Sequence, residues 1–441
     1  MKKLLSVLLV CLLVMAVLPA MADNVRTSGP YTYEIKGNGT ITITDFDWSQ
    51  NDGDVFIPNM IDGYTVTAIG DEAFVDESAK AVAVNIPNSV KSIGKFAFKD
   101  TGILEINIHN DLQMIGDGAF VGCPNCQFKL SPNHSKFAII EDALYNKPQK
   151  ELIAYYGKTD TFAIPEGILS IAPYALYDNP TVNVVFPSTL KSIGDYALYD
   201  VYIMTPEGGL LPDGLQSIGD YAFANAGFYS YNFNSHKSPS FNIPDSVETI
   251  GVGAFSNMSS SSKTHPLSIG IEKTSALRHI PQDAFRDTCG YITIWGKIDT
   301  IGDYAFSGNT ANVQYGAVDI RELAGVSSIG EGAFHMGNAY TRSVLHGVSF
   351  HKGFPAKVTT IPKFFNHPAT LPDTVEAISS QAFTYQVEDF YLPASVEEIA
   401  TDAFPKGSSF VVEAGSYAEF WCSENGFGYT IEGQDALDWL N

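Results

Sequence analysis

Ile218-Gly219-Asp220-Tyr221-Ala222-Phe223 reads IGDYAF, and the same six letters return at Ile301 to Phe306. IGDYAL, one letter different, runs from Ile193 to Leu198. The looser pattern Ile-x-x-x-Ala-Phe/Leu begins at Ile69, Ile93, Ile115, Ile139, Ile171, Ile193, Ile218, Ile250, Ile280, Ile301, Ile329, Ile378 and Ile399. A degraded copy, IPKFF, begins at Ile361, which makes about fourteen copies. Self-similarity at a short, fixed period is the signature of a repeat architecture.

A second element precedes most copies. It reads IPNSVKS before Ile93, FPSTLKS before Ile193, LPDGLQS before Ile218, IPDSVET before Ile250 and LPASVEE before Ile399. A short alternating apolar run stands before the proline, as in AVAVNIP and TVNVVFP. Such alternation predicts a strand, and the proline ends its pairing and opens a turn. Strand, proline turn, Val/Leu-x-x-Ile segment and Ala-Phe turn make a coil of roughly 23 residues. One coil cannot bury its own apolar side chains, whereas stacked coils place Ile on Ile and Phe on Phe. Their strands then pair in parallel at about 4.8 Å.

The run Pro-x-x-Val/Leu-x-x-Ile-Gly-x-x-Ala-Phe resembles the BspA-like class of bacterial leucine-rich repeats, over about Tyr64 to Phe410. The resemblance implies a right-handed β-rich solenoid, with a parallel sheet on one face and short helical turns. It also implies secreted or surface-displayed proteins that bind other macromolecules, and it brings no catalytic residues.

The ends read differently. Residues 1–22 carry Lys2 and Lys3, an apolar run and Ala20-Met21-Ala22, the features of a signal peptide cleaved before Asp23. Cys11 lies mid-run behind Val10, which disfavours a lipid anchor. Residues 23–63 are read as capping strands and a first coil: Tyr31–Ile35 and Thr40–Ile43 flank Gly37-Asn38-Gly39 as a hairpin. Residues 64–410 are the repeats, with insertions near 224–241, 256–268, 307–318 and 335–358. Residues 411–441 are a C-terminal cap. There Ser416 and Glu419 form a capping box, and a helix with Tyr417, Phe420, Trp421 and Glu424 on one face covers the last coil.

Loss of the leader takes the formal charge from −23 to −25, because it removes two lysines and no acid. Such a balance excludes nucleic acid as the natural partner and disfavours an anionic membrane surface. No segment after the leader is apolar enough for insertion. The expected partner is an extracellular protein or a glycan, the chain itself a monomer, and no cofactor is called for.

Candidate sites are few. Tyr174, Tyr196 and Tyr221 occupy one repeat position in three successive coils and should stack as a ladder. Phe228, Tyr229, Tyr231 and Phe233 sit among Asn and Ser in an insertion, the mixture found in adaptable recognition loops. Cys123 and Cys126 form a C-x-x-C at a turn between coils, read as buried thiols or a local disulfide. Asp45 to Asp54 is acidic but lacks the glycine register of a calcium loop. His335, His346 and His351 lack metal-ligand spacing. The aspartate of the hexad is replaced by Lys95 and Val252 in other coils, so it is no shared catalytic acid. It is read as the cap of its own turn. The hexad glycine suits a turn needing positive φ, but Ala172, Pro281, Pro362, Ser379 and Ala400 stand in for it, so the backbone there cannot always be left-handed. These features favour a non-enzymatic binding protein. The alternatives are a spacer in a cell-envelope assembly and a hydrolase between His335 and Pro372.

Overall fold

The computed structural model describes residues 24–51, 53–75, 82–123, 126–179, 183–205, 211–230, 240–260, 267–288, 290–308, 317–320, 325–335, 348–350, 355–366 and 370–433. It is a β-solenoid of about fourteen turns with few helices. The chain divides into two compact units, one ending at Pro148 and the other beginning at Gln149.

The first unit opens with an antiparallel meander. Val25–Ser28 pairs with Tyr31–Lys36, which pairs with Thr40–Phe46. Asn38 and Gly39 both take φ 71° in the connecting turn, a conformation that Asn and Gly tolerate best. Thr40–Phe46 then pairs in parallel with Tyr64–Ile69, and from there the coils stack. One ladder runs Ile69, Ile93, Ile115. A second runs Val55–Phe56, Val82–Asn85, Ile103–Ile108, Gln127–Leu130.

The second unit repeats the plan. Leu152, Ile171, Ile193, Ile218 and Ile250 are in register in one ladder. Longer strands form others, among them Tyr202–Thr205 with Gly227–Ser230, and Ser240–Ile243 with Leu267–Ile271 and Gly290–Ile294. The longer strands thus form one set of parallel ladders, and the two-residue strands that end in the hexad isoleucine form a second. After Ile69, which ends a six-residue strand, the hexad isoleucine of a coil is the second residue of a two-residue strand, too short for alternation to betray it.

Between the ladders the chain turns twice. At the proline, Leu215 N–H donates to Pro212 O at 3.0 Å and Val247 N–H to Pro244 O at 3.0 Å. Leu215 and Val247 are then fully buried. At the Ala-Phe turn each phenylalanine N–H donates to the alanine carbonyl of the next coil: Phe223 to Ala254, Phe255 to Ala284 and Phe285 to Ala305, all at 2.8 Å. The rings follow. Phe223, Phe255, Phe285, Phe306 and Phe334 stack at 5.4 to 5.7 Å, within 8° of parallel. Each is no more than 1% exposed, and burying one such side chain stabilises by about 1.5–3 kcal/mol.

Four readings change. The match at Ile139 is not a coil: Phe137–Ile140 and Ala143–Asn146 form an antiparallel hairpin whose turn residues, Glu141 and Asp142, take φ 48° and 59°. The hexad glycine does not supply positive φ. The residue before alanine does, at 54° in Tyr196 and 52° in Tyr221. Gly219 is needed because a Cβ there would lie 2.6 Å from the backbone N of Asp195 in the preceding coil. The hexad aspartate caps its neighbour's turn, not its own, as described below.

The fourth change concerns the C-terminal helix, Tyr417–Asn425. Ser416 Oγ accepts the Glu419 N–H, while Glu419 Oε2 reaches back to Gly415 N–H, one residue beyond the usual box. Its buried face is Ala418, Trp421 and Cys422, whereas Tyr417 and Phe420 are exposed. A further strand, Gly428–Ile431, pairs with Ser409–Val412 and extends the ladder past the helix.

Candidate binding surface

The sequence Ser-Ile-Gly-Asp-Tyr-Ala-Leu-Tyr-Asp, read across a coil and stacked along the second unit, generates a surface of columns. Isoleucine, alanine and leucine point inward. Serine, aspartate and tyrosine are left outside. Ser170, Ser192, Ser217 and Thr249 are in register and line an open groove of about 430 Å³ with Asp195 and Asp220. Ser170 Oγ donates to Glu151 Oε1 at the groove's end, at 3.4 Å.

The carboxylates also serve the backbone. Asp195 Oδ1 accepts the Asp220 N–H at 2.8 Å, and Asp220 Oδ1 accepts the Val252 N–H at 2.7 Å. Asp71 with Lys95 and Asp303 with Glu331 repeat the contact. An aspartate is thus useful in any coil whatever its successor carries, which explains why Lys95 and Val252 can replace it without breaking the bond they donate.

Beside the carboxylates stand two columns of tyrosine. Tyr174, Tyr196 and Tyr221 stack at 5.1 and 5.0 Å, at 4° and 22°. Tyr177 and Tyr199 stack at 5.0 Å and 6°. Within a coil the two columns meet at an angle, Tyr196 to Tyr199 being 5.7 Å apart at 46°. All five are half-buried. Tyr221 also lies over Gly253, where a Cβ would meet its ring at 2.3 Å. Ring faces are therefore turned toward other coils, and the Tyr199 hydroxyl accepts from Asn225 Nδ2 at 2.5 Å. Burial, together with Tyr221 and Asp220, raises the Tyr196 hydroxyl above its ordinary range, so it stays protonated at neutral pH. The second tyrosine column escaped the sequence reading, although its signal is plain: YALYD occurs at both 174–178 and 196–200.

Phe228 is not part of this surface. It is fully buried, because the segment read as an insertion contributes the strand Gly227–Ser230 and Phe228 is its inward residue, opposite Ile203. Tyr229 lies on the same strand, its side chain outside the described residues. Tyr231 and Phe233 lie outside them too, as do residues 1–23 and much of the 256–268, 307–318 and 335–358 insertions.

Cys123, Cys126 and Cys422 are free and buried. Cys123 Sγ donates to Phe98 O at 3.0 Å and lies 3.3 Å from Thr101 Oγ1. Burial pushes the Cys123 and Cys126 thiols up, and Cys422 to about 11. Cys289 is outside the described residues. Asp47 accepts from Ser49 N–H, Ser49 Oγ and Gln50 Nε2, which hold its carboxyl low and make it a turn cap. His335 Nδ1 lies 3.1 Å from Asn366 Nδ2, while His346 and His351 are outside the described residues. Among the described residues no group of His, Cys, Asp and Glu could hold a metal, and no helix is long and apolar enough to cross a membrane.

The family described as BspA type Leucine rich repeat region matches in six copies, over residues 54–154, 149–230, 227–339 and 354–411. Among solved structures, a leucine rich cell surface protein from Faecalibacterium prausnitzii is 18% identical with a TM-score of 0.38, covering 94% of this chain and 96% of its own. A leucine-rich repeat protein from Bacteroides ovatus is 16% identical with a TM-score of 0.32, covering 92% and 99%. The pneumococcal vaccine antigen PcpA is 14% identical with a TM-score of 0.30, covering 93% and 99%. No curated protein matches the sequence.

Proposed function

The chain belongs to the BspA-type leucine-rich repeat family, and from that premise we propose that it is a secreted or cell-surface, non-enzymatic binding protein. Its second unit presents the tyrosine and carboxylate columns to a protein or glycan partner. The observation that carries this reading is the surface itself: serine and carboxylate side chains aligned along an open groove, and tyrosines stacked in columns over three successive coils. A long, shallow, periodic face suits a macromolecule better than a metabolite, which needs a concave pocket that buries most of its surface. The leader at residues 1–22 supports export, and the strong negative charge supports a partner that is not itself polyanionic.

The test is capture. Purified protein, biotinylated and presented to arrays of extracellular proteins and glycans, is expected to retain a specific partner. Retention should fall when Asp178→Asn, Asp200→Asn and Tyr196→Phe are combined. Retention of nothing, or of a partner indifferent to these changes, would overturn the reading.

A further inference from the structure

We infer that His109 and His134 form an acid-sensitive latch, which holds residues 131–137 against the coil of the strand Ile103–Ile108 and releases them on acidification. The device lies wholly within the first unit and is independent of the binding role proposed above.

The first reason is how the two rings are held. His109 follows the strand Ile103–Ile108 directly, and His134 comes 25 residues later. His134 is fully buried, whereas Pro132, Asn133 and Ser135 around it are exposed, so its ring is what ties this stretch down. Its Nδ1 accepts the Lys136 N–H at 3.0 Å and the Phe137 N–H at 3.2 Å. A neutral imidazole has one acceptor nitrogen and one donor. Two N–H donors at Nδ1 therefore place the ring hydrogen on Nε2, which donates to the His109 carbonyl at 3.0 Å. His109 repeats the arrangement on a smaller scale. Its Nδ1 accepts the Asp111 N–H at 3.2 Å, and its carbonyl also accepts the Leu112 N–H at 3.1 Å. Each histidine closes a turn through Nδ1, and the His134 ring joins the two turns.

The second reason is what a proton does there. Added at His134 Nδ1, it sets one N–H against two others, breaks both turn bonds and leaves a charge in a buried site. The charged and titratable neighbours give that charge little relief. Lys147 Nζ donates to the His134 carbonyl, and Lys136 lies two residues on in the chain, so both are positive. From the preceding coil come the His109 ring and Asp111, and Asp111 is ion-paired with Lys91 at 3.6 Å. Burial, with Lys91 and His134 acting the same way and Asp111 opposing, holds the His109 ring below its ordinary range. For His109 the sign follows from linkage. A histidine value lowered in the folded state contributes stability that is complete above the unfolded value, about 6.5, and falls away as pH drops below it. Neutral pH closes the latch and acid opens it, the direction in which histidine clusters switch elsewhere.

The experiment is hydrogen–deuterium exchange of the purified full chain at about pH 7 and about pH 5, corrected for the intrinsic exchange rate. Protection at residues 131–137 should fall by about tenfold or more at the lower pH, while residues 192–198 in the second unit should change by less than about twofold. In His109→Asn/His134→Asn the side-chain oxygen accepts from the same backbone N–H groups but does not titrate. Its protection at residues 131–137 should change by less than about twofold between the two pH values. That variant also loses the bond to the His109 carbonyl, so the unmodified protein supplies a second reading. Its ¹⁵N-histidine spectra should show His134 as the Nε2–H tautomer while the segment is protected, and conversion to imidazolium should track the loss of protection. Equal protection of the parent at both pH values would overturn the inference. So would equal loss in parent and variant, or an Nδ1–H tautomer of His134 at neutral pH.

Discussion

The carboxylate of Asp195 lies 2.8 Å from the backbone nitrogen of Asp220, 25 residues on in sequence and one coil on in space. One repeat residue closes the turn of the next repeat, so the hexad is a contact between coils. Replacing Asp195 with Ala leaves the Asp220 N–H to solvent. Because the bond is exposed, the loss should fall below the range for a charged acceptor, at about 1 kcal/mol. Asn, which keeps an acceptor, should lose less than half of that. Urea denaturation of the two variants measures both.

Gly219→Ala and Glu72→Gly test the revised roles of the turn. A methyl at Gly219 meets the Asp195 backbone at 2.6 Å, which no side-chain motion relieves. It should destabilise by about 2–3 kcal/mol. Glu72 is exposed and holds φ 57°, a conformation that costs an L residue about 1 kcal/mol. Gly there should be neutral or slightly stabilising, despite its greater freedom in the unfolded chain. If Gly219 instead supplied the left-handed turn, Glu72→Gly would simply destabilise.

Phe285→Ala should be the most damaging of the core changes. The ring sits between Phe255 at 5.4 Å and Phe306 at 5.5 Å and is fully buried. Truncation should cost about 3–5 kcal/mol. In a stacked array the loss falls on both neighbouring interfaces, so protection from hydrogen exchange should drop in the coils on either side.

Much of this was legible in the sequence. The isoleucine, alanine and phenylalanine positions follow from their recurrence, because a residue that must meet its own copy one coil away cannot vary much. The hidden parts are those where repetition misleads. Ile139-Ile140-Glu141-Asp142-Ala143-Leu144 fits the pattern letter for letter, yet alternation on both sides of Glu141-Asp142 makes it a hairpin. Phe228 looked like a loop aromatic because its strand is preceded by alanine and glycine instead of an alternating run. The positive φ was sought at the hexad glycine and lies at the residue before alanine, because close approach and positive φ both favour glycine and letters alone do not separate them.

Glu166 gives a pH test. Its carboxylate accepts the Ser188 N–H and the Ser188 hydroxyl, both at 2.9 Å, and these bonds hold it below its ordinary 4.5. A depressed folded-state value contributes stability that is fully present above the unfolded value and fades as pH falls through the folded one. The parent should therefore exceed Glu166→Gln in stability at about pH 7, and the gap should close toward about pH 3. Urea midpoints at the two pH values read it directly.

The buried thiols should be inert. With Cys422 pushed up to about 11, its thiolate fraction near pH 8 is about one in a thousand, and Cys123 and Cys126 are shifted the same way. Native protein treated with iodoacetamide should show no alkylation at these three positions by mass spectrometry, and full alkylation in guanidinium.

On the proposed binding role, the tyrosine and carboxylate columns of the second unit are where a partner sits. Hydrogen–deuterium exchange with and without the partner retained by capture tests it most directly. Protection gained at residues 173–178, 195–200 and 220–225, with residues 54–146 unchanged, is the predicted result. Protection confined to other coils, with those three segments unaltered, would contradict it.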